Sequence, residues 1–500
     1  MYLIGLDNGG TSTKAAVFDE NGREIAVAGH NTNTITPKPG YTERDMDELW
    51  QVNCACIREA LEKAGIRGSD VGGVAVCGHG KGLYAWGKDG RPAYNGIIST
   101  DNRAWKYTKK WYENGVFQAL YPQLCQEIIP CQQIALLAWF KDNLPDVYSN
   151  IRYVFSVKDY IRFRLTGEAY CEATDISGSG LMDVRNARFD REMLEQLEIG
   201  EAFDMLSPIR YSYELCGTVG REAAKLTGLE KGTPVAGGMF DIDACAVAAD
   251  VTSPEELVTI AGTWSINEFI SPEPIMDGNI ARNSLFAIPG YYLAEESSAT
   301  SSGNLEWFLE NLLKKDELPE TESVYSYVNK LVDSILPEEC SVYYLPYLYG
   351  SNAHPLGKAA FVGMTNYHNT AHMLRAVYEG VAFSHKRHIK KLLTSRTPPK
   401  AIRMAGGPVR SKVWVQMFAD VLGYPIETVD TQELGALGCA MAAAIAAGLY
   451  SDYKDAARHM VWVSGRTEPD PARTAIYRKK YERYMAISDA LDTVWDKFEI

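Results

Sequence analysis

Three glycine-rich turns in this sequence carry the residue types that hold anions. The first is LDNGGTSTK, where Asp7 ends an apolar run, Gly9 and Gly10 break it, and Thr11, Ser12, Thr13 and Lys14 follow. Glycines let successive backbone N–H groups turn inward as an anion nest, to which hydroxyls and a lysine add donors and charge. A strand-end carboxylate such as Asp7 can orient hydrated Mg2+, which takes one or two carboxylates together with phosphate oxygens. A simple hairpin turn accounts for the same residues equally well. Gly262-Thr263, in AGTWSINEF, repeats the arrangement about half a chain later. Two such hairpins facing one another could clamp a polyphosphate. The third turn, Gly406-Gly407-Pro408, opens a helix from about Ser411. A helix N-terminus, with its free amides and partial positive charge, suits a phosphate or a ribose.

The elements around these turns decide what kind of loop they are. A Walker loop or a Rossmann fingerprint passes from a strand through glycines into a helix. The first turn passes from strand to strand, which excludes both. The strand pattern runs on through Asn21-Gly22, a hairpin signal, giving three successive antiparallel strands. Leu49, Val52, Cys56, Ile57, Ala60 and Leu61 then recur at helical spacing. Further on, VGGVAVCGHGKGLYAW reads as strand, loop, strand, and VYSNIRYVFSVKDYIRFRLTG as a strand and a helix closing at Gly167. GTPVAGGMFDIDACAVAADV reads as a strand, a double-glycine turn and a small-residue helix, with Pro254 marking a boundary just beyond. The later half supplies an amphipathic helix through Leu374, Val377, Val381 and Ile389, then strand, Gly-Gly turn, helix and strand. Alternating strands and helices indicate an α/β protein, and the echoed turn suggests two like-folded halves.

At 500 residues, with 46% hydrophobic and 23% charged residues, the chain has an ordinary globular composition and room for more than one domain. A net charge of -14 argues against nucleic-acid or anionic-membrane partners, which need basic surface. The ten cysteines are scattered without a C-x-x-C pair, which suits a reduced cytoplasm. No signal-peptide pattern precedes Asp7. The run LGALGCAMAAAIAAGLY at 434–450 approaches membrane-span length, but its alanines and glycines read as a tightly packed soluble helix. His368 and His372 stand four apart and His385 and His388 three apart; without a third ligand they read as core or surface histidines, not as a metal site.

LDNGGTSTK, GGMFDID, AGTWS, SSGNLEWF, YEGVAFSHKRHI and AGGPVRSKVWVQMFADVLG together resemble the FGGY carbohydrate kinases, in order and spacing, over essentially the whole chain. Within the family, CGHGKGL, STDNRAW and SSGNLEWF most resemble the L-xylulose (3-keto-L-gulonate) kinases. The resemblance implies two ribonuclease-H-like domains of the actin and sugar-kinase superfamily, 1–250 and 251–500. The first would bind sugar and carry the catalytic Asp, the second would bind the nucleotide, and ATP with Mg2+ would meet the sugar in the interdomain cleft. A homodimer is compatible with it.

Residue by residue, the resemblance places Asp241 as the general base that accepts the proton of the sugar hydroxyl. Its bland alternative is a cap for the following helix, and Asp243 competes for the role. His79, Lys81, Asp101 and Arg103 are expected at the sugar, although His79 stands where relatives often have Gln, and an Asp-Arg pair can equally stabilise a loop. Glu43, Arg44 and Asp45 serve either the cleft or the start of a helix. Gly9, Gly10, Thr11, Lys14, Gly262 and Thr263 are expected at the phosphates, with Asp7 toward the metal. Gly406, Gly407 and Ser411 fall to the adenosine side, and Ser302 and Glu306 to the ribose. The expected activity is ATP-dependent phosphorylation of a ketopentose such as L-xylulose, or a related keto-sugar acid. Alternatives are a kinase for D-xylulose, ribulose or a polyol such as erythritol or glycerol, an actin- or chaperone-like ATPase, and a silent sugar-binding protein.

Overall fold

The computed structural model describes residues 1–498 except 263, 281, 314–321, 353, 355, 430 and 432. They form two compact units, one of Met1–Thr252, Ile270–Ala294 and Thr431–Val461, the other of Ser253–Phe269, Glu295–Asp430 and Trp462–Ile500. The chain thus returns to its first unit twice after leaving it near residue 252. Two seven-stranded sheets give the expected α/β architecture.

In the first unit, strand Tyr2–Asn8 pairs antiparallel with Ser12–Asp19, which pairs antiparallel with Glu24–Asn31 around the Asn21-Gly22 turn. On its other edge Tyr2–Asn8 runs parallel to Val71–Gly78, beyond which lie Pro234–Ala236, also parallel, and Leu215–Thr218, antiparallel. The helix read at Leu49–Leu61 is Met46–Ala64, begun by the Asp45 carboxylate, which accepts from Glu48 N–H, and closed by Gly65 at φ 66°. Its apolar face meets Ile4, Leu6, Val17, Val74 and Val76 in one core cluster. Side chains alternate along a strand, so Gly5 and Gly73 face the other way. There the small-residue helix Leu434–Ala446 lies so close that a Cβ on Gly5 would fall 1.9 Å from the Ala436 oxygen. Gly438 meets the carbonyl of Ala244, on helix Asp241–Ala248, at 2.2 Å from an ideal Cβ. The run that approached membrane-span length is a helix packed through small residues. Among the described residues no helix is long and apolar enough to cross a membrane.

The second unit repeats the plan. Strand Val258–Ala261 pairs antiparallel with Ser265–Ser271 and parallel with Ile402–Ala405, followed by Ile426–Val429, parallel, and Val463–Thr467, antiparallel. The sense of pairing matches that of the first sheet from its second strand outward. Helix Thr370–Leu392 precedes Ile402–Ala405 just as Met46–Ala64 precedes Val71–Gly78. The two Gly-containing hairpins therefore occupy the same place in like-ordered sheets, as the sequence echo suggests.

Candidate active site

Local chemistry builds the first loop. Gly9 N–H donates to the Ser12 carbonyl at 2.9 Å, closing the turn, and Gly10 and Thr11 are exposed at its tip. Beneath it, Asn8 and Asn53 exchange hydrogen bonds at 3.1 and 2.9 Å, and Thr13 Oγ1 donates to Asn8 Oδ1 at 3.1 Å. This buried triad pins the turn to helix Met46–Ala64. The buried Arg44 guanidinium donates to the carbonyls of Gly9 and Gly10 at 3.4 and 2.5 Å. Arg44 is thus bound to the loop, while Asp45 starts the helix and Glu43 belongs to a separate ion pair. Lys14 does not stand free beside the turn: its ammonium meets both Glu433 oxygens at 2.9 Å.

The carboxylates of this unit form one electrostatic set. Asp7 lies on strand Tyr2–Asn8, and Gly435 leaves the room its carboxylate needs, since a Cβ there would sit 2.8 Å from Oδ2. Burial, reinforced by Glu433, pushes the Asp7 carboxyl up to about 6. Asp241 is the first residue of helix Asp241–Ala248, at the end of the short strand Met239–Phe240 that pairs with Val71–Gly78. Its side chain accepts from the Ile242 N–H at 2.8 Å. Burial, then Asp7 and Asp175, hold Asp241 well above the usual carboxylate range, with Lys81 opposing. Asp243 is fully buried, accepts from Ala287 N–H at 3.1 Å and is likewise raised, by burial and then Glu172. The peptide that presents Asp241 is held from below. Phe240 N–H donates to Thr174 Oγ1 at 2.9 Å, Thr174 donates to Glu172 at 2.7 Å, and Lys158 meets Glu172 at 3.3 Å and Asp159 at 2.9 Å.

The residues expected at the sugar divide. Lys81 sits at φ 63°, a left-handed conformation rare for a residue with a Cβ, and its ammonium lies 4.8 Å from the Phe240 ring centre. His79 is turned inward. Its Nδ1 stands 3.3 Å from the Gly80 carbonyl, which can only accept, so Nδ1 carries the proton and Nε2 accepts from the Tyr84 hydroxyl at 3.0 Å. Burial, then the Arg44 charge, hold this imidazole down to about 3, so it stays neutral. Asp101 and Arg103 form a buried ion pair at 2.9 Å, and Arg103 also meets Glu43 at 2.7 Å. Asp101 accepts from Thr42 N–H at 2.7 Å, while Tyr94 and Asn95 donate to Glu43. Within the described contacts these groups tie segments 41–44, 94–95 and 101–103 together.

The second unit contains a cavity of about 680 Å3 that gathers Ser302, Glu306, Gly407 and Ser411 on its walls, a size that suits a nucleoside. Gly406, at φ 97°, ends strand Ile402–Ala405 where a Cβ would come 2.5 Å from the Ala261 oxygen. The helix does not begin at the Gly-Gly pair: a 3-10 turn, Gly407–Arg410, intervenes before helix Lys412–Leu422. Ser411 caps that helix, accepting from Trp414 N–H at 3.1 Å and donating to Asn329 Oδ1 at 2.6 Å. Ser302 donates to the Gly262 carbonyl from its N–H at 2.9 Å and its hydroxyl at 2.8 Å, bringing the Gly262 turn beside the cavity. Glu306 is exposed in the first turn of helix Gly303–Asn311. Thr263 lies outside the described residues. Helix Val324–Asp333 supplies Tyr325, Asn329 and Lys330 to the wall, and Tyr378 stacks on Trp414 at 4.0 Å. No sequence signal pointed to these, because tyrosines and a lysine at helical spacing read as an ordinary amphipathic face.

Among the described residues no group of three or more His, Cys, Asp or Glu gathers as a metal cluster. Mg2+ needs none, since it keeps several waters and binds through one or two carboxylates and the substrate phosphates. Two carboxyls raised by burial, Asp7 further by Glu433 and Asp241 further by Asp7, fit that donor set.

The N-terminal domain of the FGGY family of carbohydrate kinases matches residues 2–248, and the C-terminal domain of that family matches residues 257–447. L-xylulose/3-keto-L-gulonate kinase of Escherichia coli (strain K12) is 36% identical, covering 98% of this chain and 97% of its own. A probable L-xylulose kinase of Pasteurella multocida (strain Pm70) is 35% identical, covering 98% and 99%. Among solved structures, ligand-bound xylulose kinase from Lactobacillus acidophilus superposes with a TM-score of 0.88 at 25% identity, covering 100% of both chains. With both domains matched in order along the chain, it belongs to the FGGY family of carbohydrate kinases. It is an ATP-dependent sugar kinase, taking a sugar and ATP as substrates.

Proposed function

We propose that the sugar is a ketopentose such as L-xylulose or a related keto-sugar acid, and that Asp241 is the general base. One observation carries the choice of base above the rest. Asp241 stands at the start of a helix on a strand end, with its carboxyl held basic by burial and by Asp7 and Asp175. A carboxylate of raised proton affinity takes a hydroxyl proton more effectively than an ordinary one. Asp241 orients the sugar hydroxyl and accepts its proton as the oxygen adds to the γ-phosphorus and ADP leaves. Lys81, in no ion pair among the described residues, offers its ammonium to hydroxyls or to a substrate carboxylate. Thr11, the Gly9-Gly10 turn and the Gly262 turn bind phosphate. Ser302, Gly407 and Ser411 bind the nucleoside. Asp7 holds Mg2+, which when bound neutralises charge on the phosphate oxygens. A cytoplasmic setting agrees with ten cysteines scattered along the sequence without a C-x-x-C pair.

ADP release measured against a panel of ketopentoses, polyols and keto-sugar acids tests the proposal. L-xylulose or a keto-sugar acid should raise turnover far above the sugar-free rate. Preference for glycerol, erythritol or D-xylulose would overturn the substrate, and no stimulation by any of them would overturn the whole reading.

A further inference from the structure

His385 is the most enclosed histidine of the second unit, fully buried in the middle of helix Thr370–Leu392. Its ring meets both strands of the Gly262 hairpin. Nδ1 lies 2.8 Å from Thr259 Oγ1, 2.8 Å from Asn267 Oδ1 and 3.2 Å from Ser265 Oγ, while Nε2 lies 2.9 Å from Ser301 Oγ. The partners fix the tautomer. Asn267 Nδ2 donates to the Glu296 carbonyl at 3.2 Å, so its Oδ1 faces the ring as an acceptor. Nδ1 therefore carries the hydrogen, and Nε2 accepts from the Ser301 hydroxyl. Every group in this set is buried: Thr259, Ser265 and Asn267 fully, and Ser301 to 1% exposure.

Ser301 is the neighbour of Ser302, whose N–H and hydroxyl both bind the Gly262 carbonyl. One imidazole thus joins the stems of the hairpin to the segment that grips its tip and then forms the cavity wall. Directional bonds at both ring nitrogens fix the separation of these two pieces, as an apolar side chain of similar size would not. We propose that His385 is a positioning residue for the nucleotide, holding the Gly262 turn and Ser302 at the spacing that ATP requires. This rests on the assignment of the nucleotide to that turn and cavity. It gives His385 of the helix motif YEGVAFSHKRHI a role in nucleotide binding, although none of the bonds of His385 itself reaches the cavity, which Tyr378 of the same motif lines directly.

The test is calorimetric titration of the full chain with ADP and ATP, beside steady-state kinetics with ATP and L-xylulose. His385→Leu removes both polar contacts and should weaken nucleotide binding by about tenfold or more, the scale of one or two hydrogen bonds. KM for L-xylulose should stay within about twofold, because Lys81 and Asp241 pack in the other unit. His385→Gln, which can donate to Asn267 and accept from Ser301, should recover most of the affinity. Ser301→Ala removes a single hydroxyl and should shift nucleotide affinity in the same direction, which keeps the test decisive if His385→Leu does not fold. Unchanged nucleotide affinity in Ser301→Ala, or parallel losses for both substrates without recovery in His385→Gln, would overturn the proposal. Failure of the unmodified protein to bind ADP or ATP would instead refute the nucleotide assignment, and this role with it.

Discussion

At the scale of single residues, the set around Asp241 makes two predictions. With Asp241 as the proposed base, Asp241→Asn keeps the shape and removes the proton acceptor, so kcat should fall by about 10²–10⁴-fold, while calorimetry still detects ATP binding. Asp7 gives the second. Its folded carboxyl titrates near 6 against an unfolded value of 3.8. A raised carboxyl contributes stability below the unfolded value and loses it as pH rises through the folded one. The ligand-free protein should therefore lose stability between about pH 4 and pH 7 through this group. Asp7→Asn should stabilise it at pH 8 by about 1–3 kcal/mol, read as a higher Tm, while lowering activity. A Tm at pH 8 unchanged or lowered by the substitution would contradict that sign. The sequence showed residue types here more clearly than orientations. The place of Asp241 between strand and helix was legible because strand, glycines and helix meet within a few residues. The inward turn of His79 was not, since it depends on Tyr84, Gly80 and burial. Arg103 was ambiguous because its second partner, Glu43, lies 60 positions away in sequence.

Elements explain which glycines matter. At the tip of the first turn Gly10 has nothing within 4 Å of an ideal Cβ, while Gly9 has the Ser12 oxygen at 3.3 Å. Those between elements have no such space. Gly438→Ala would place a methyl 2.2 Å from a backbone oxygen of helix Asp241–Ala248, and should destabilise the protein by about 1–3 kcal/mol or more in thermal unfolding. Because that helix presents Asp241, activity should fall further than stability does. Ser411→Ala removes a helix cap, a loss of about 1 kcal/mol, and should also raise KM for ATP. The helix, strand and hairpin types were readable from periodicity. The 3-10 turn between Gly407 and Ser411 was not, because Pro408 fits the first turn of either kind of helix.

The whole molecule keeps two chemistries in separately packed units, the carboxylates with Lys81 in one and the 680 Å3 cavity in the other. Substitution at Ser411 should therefore leave sugar binding intact and substitution at Asp241 should leave ATP binding intact, which titration of L-xylulose into Ser411→Ala and of ATP into Asp241→Asn would measure. The duplicated plan was visible as one echoed turn, whereas the return of residues 431–461 to the first unit left no local trace in sequence. That return also sets an order of events during synthesis. Cys439 Sγ reaches the Leu6 carbonyl from 433 positions away, so one face of the first sheet stays bare until nearly the whole chain has left the ribosome. A nascent or truncated chain ending near residue 252 carries a sheet with Gly5 and Gly73 uncovered, and such intermediates aggregate. Expressed alone, residues 1–252 should sediment with insoluble material, and adding 431–461 on a flexible tether should return them to the soluble fraction.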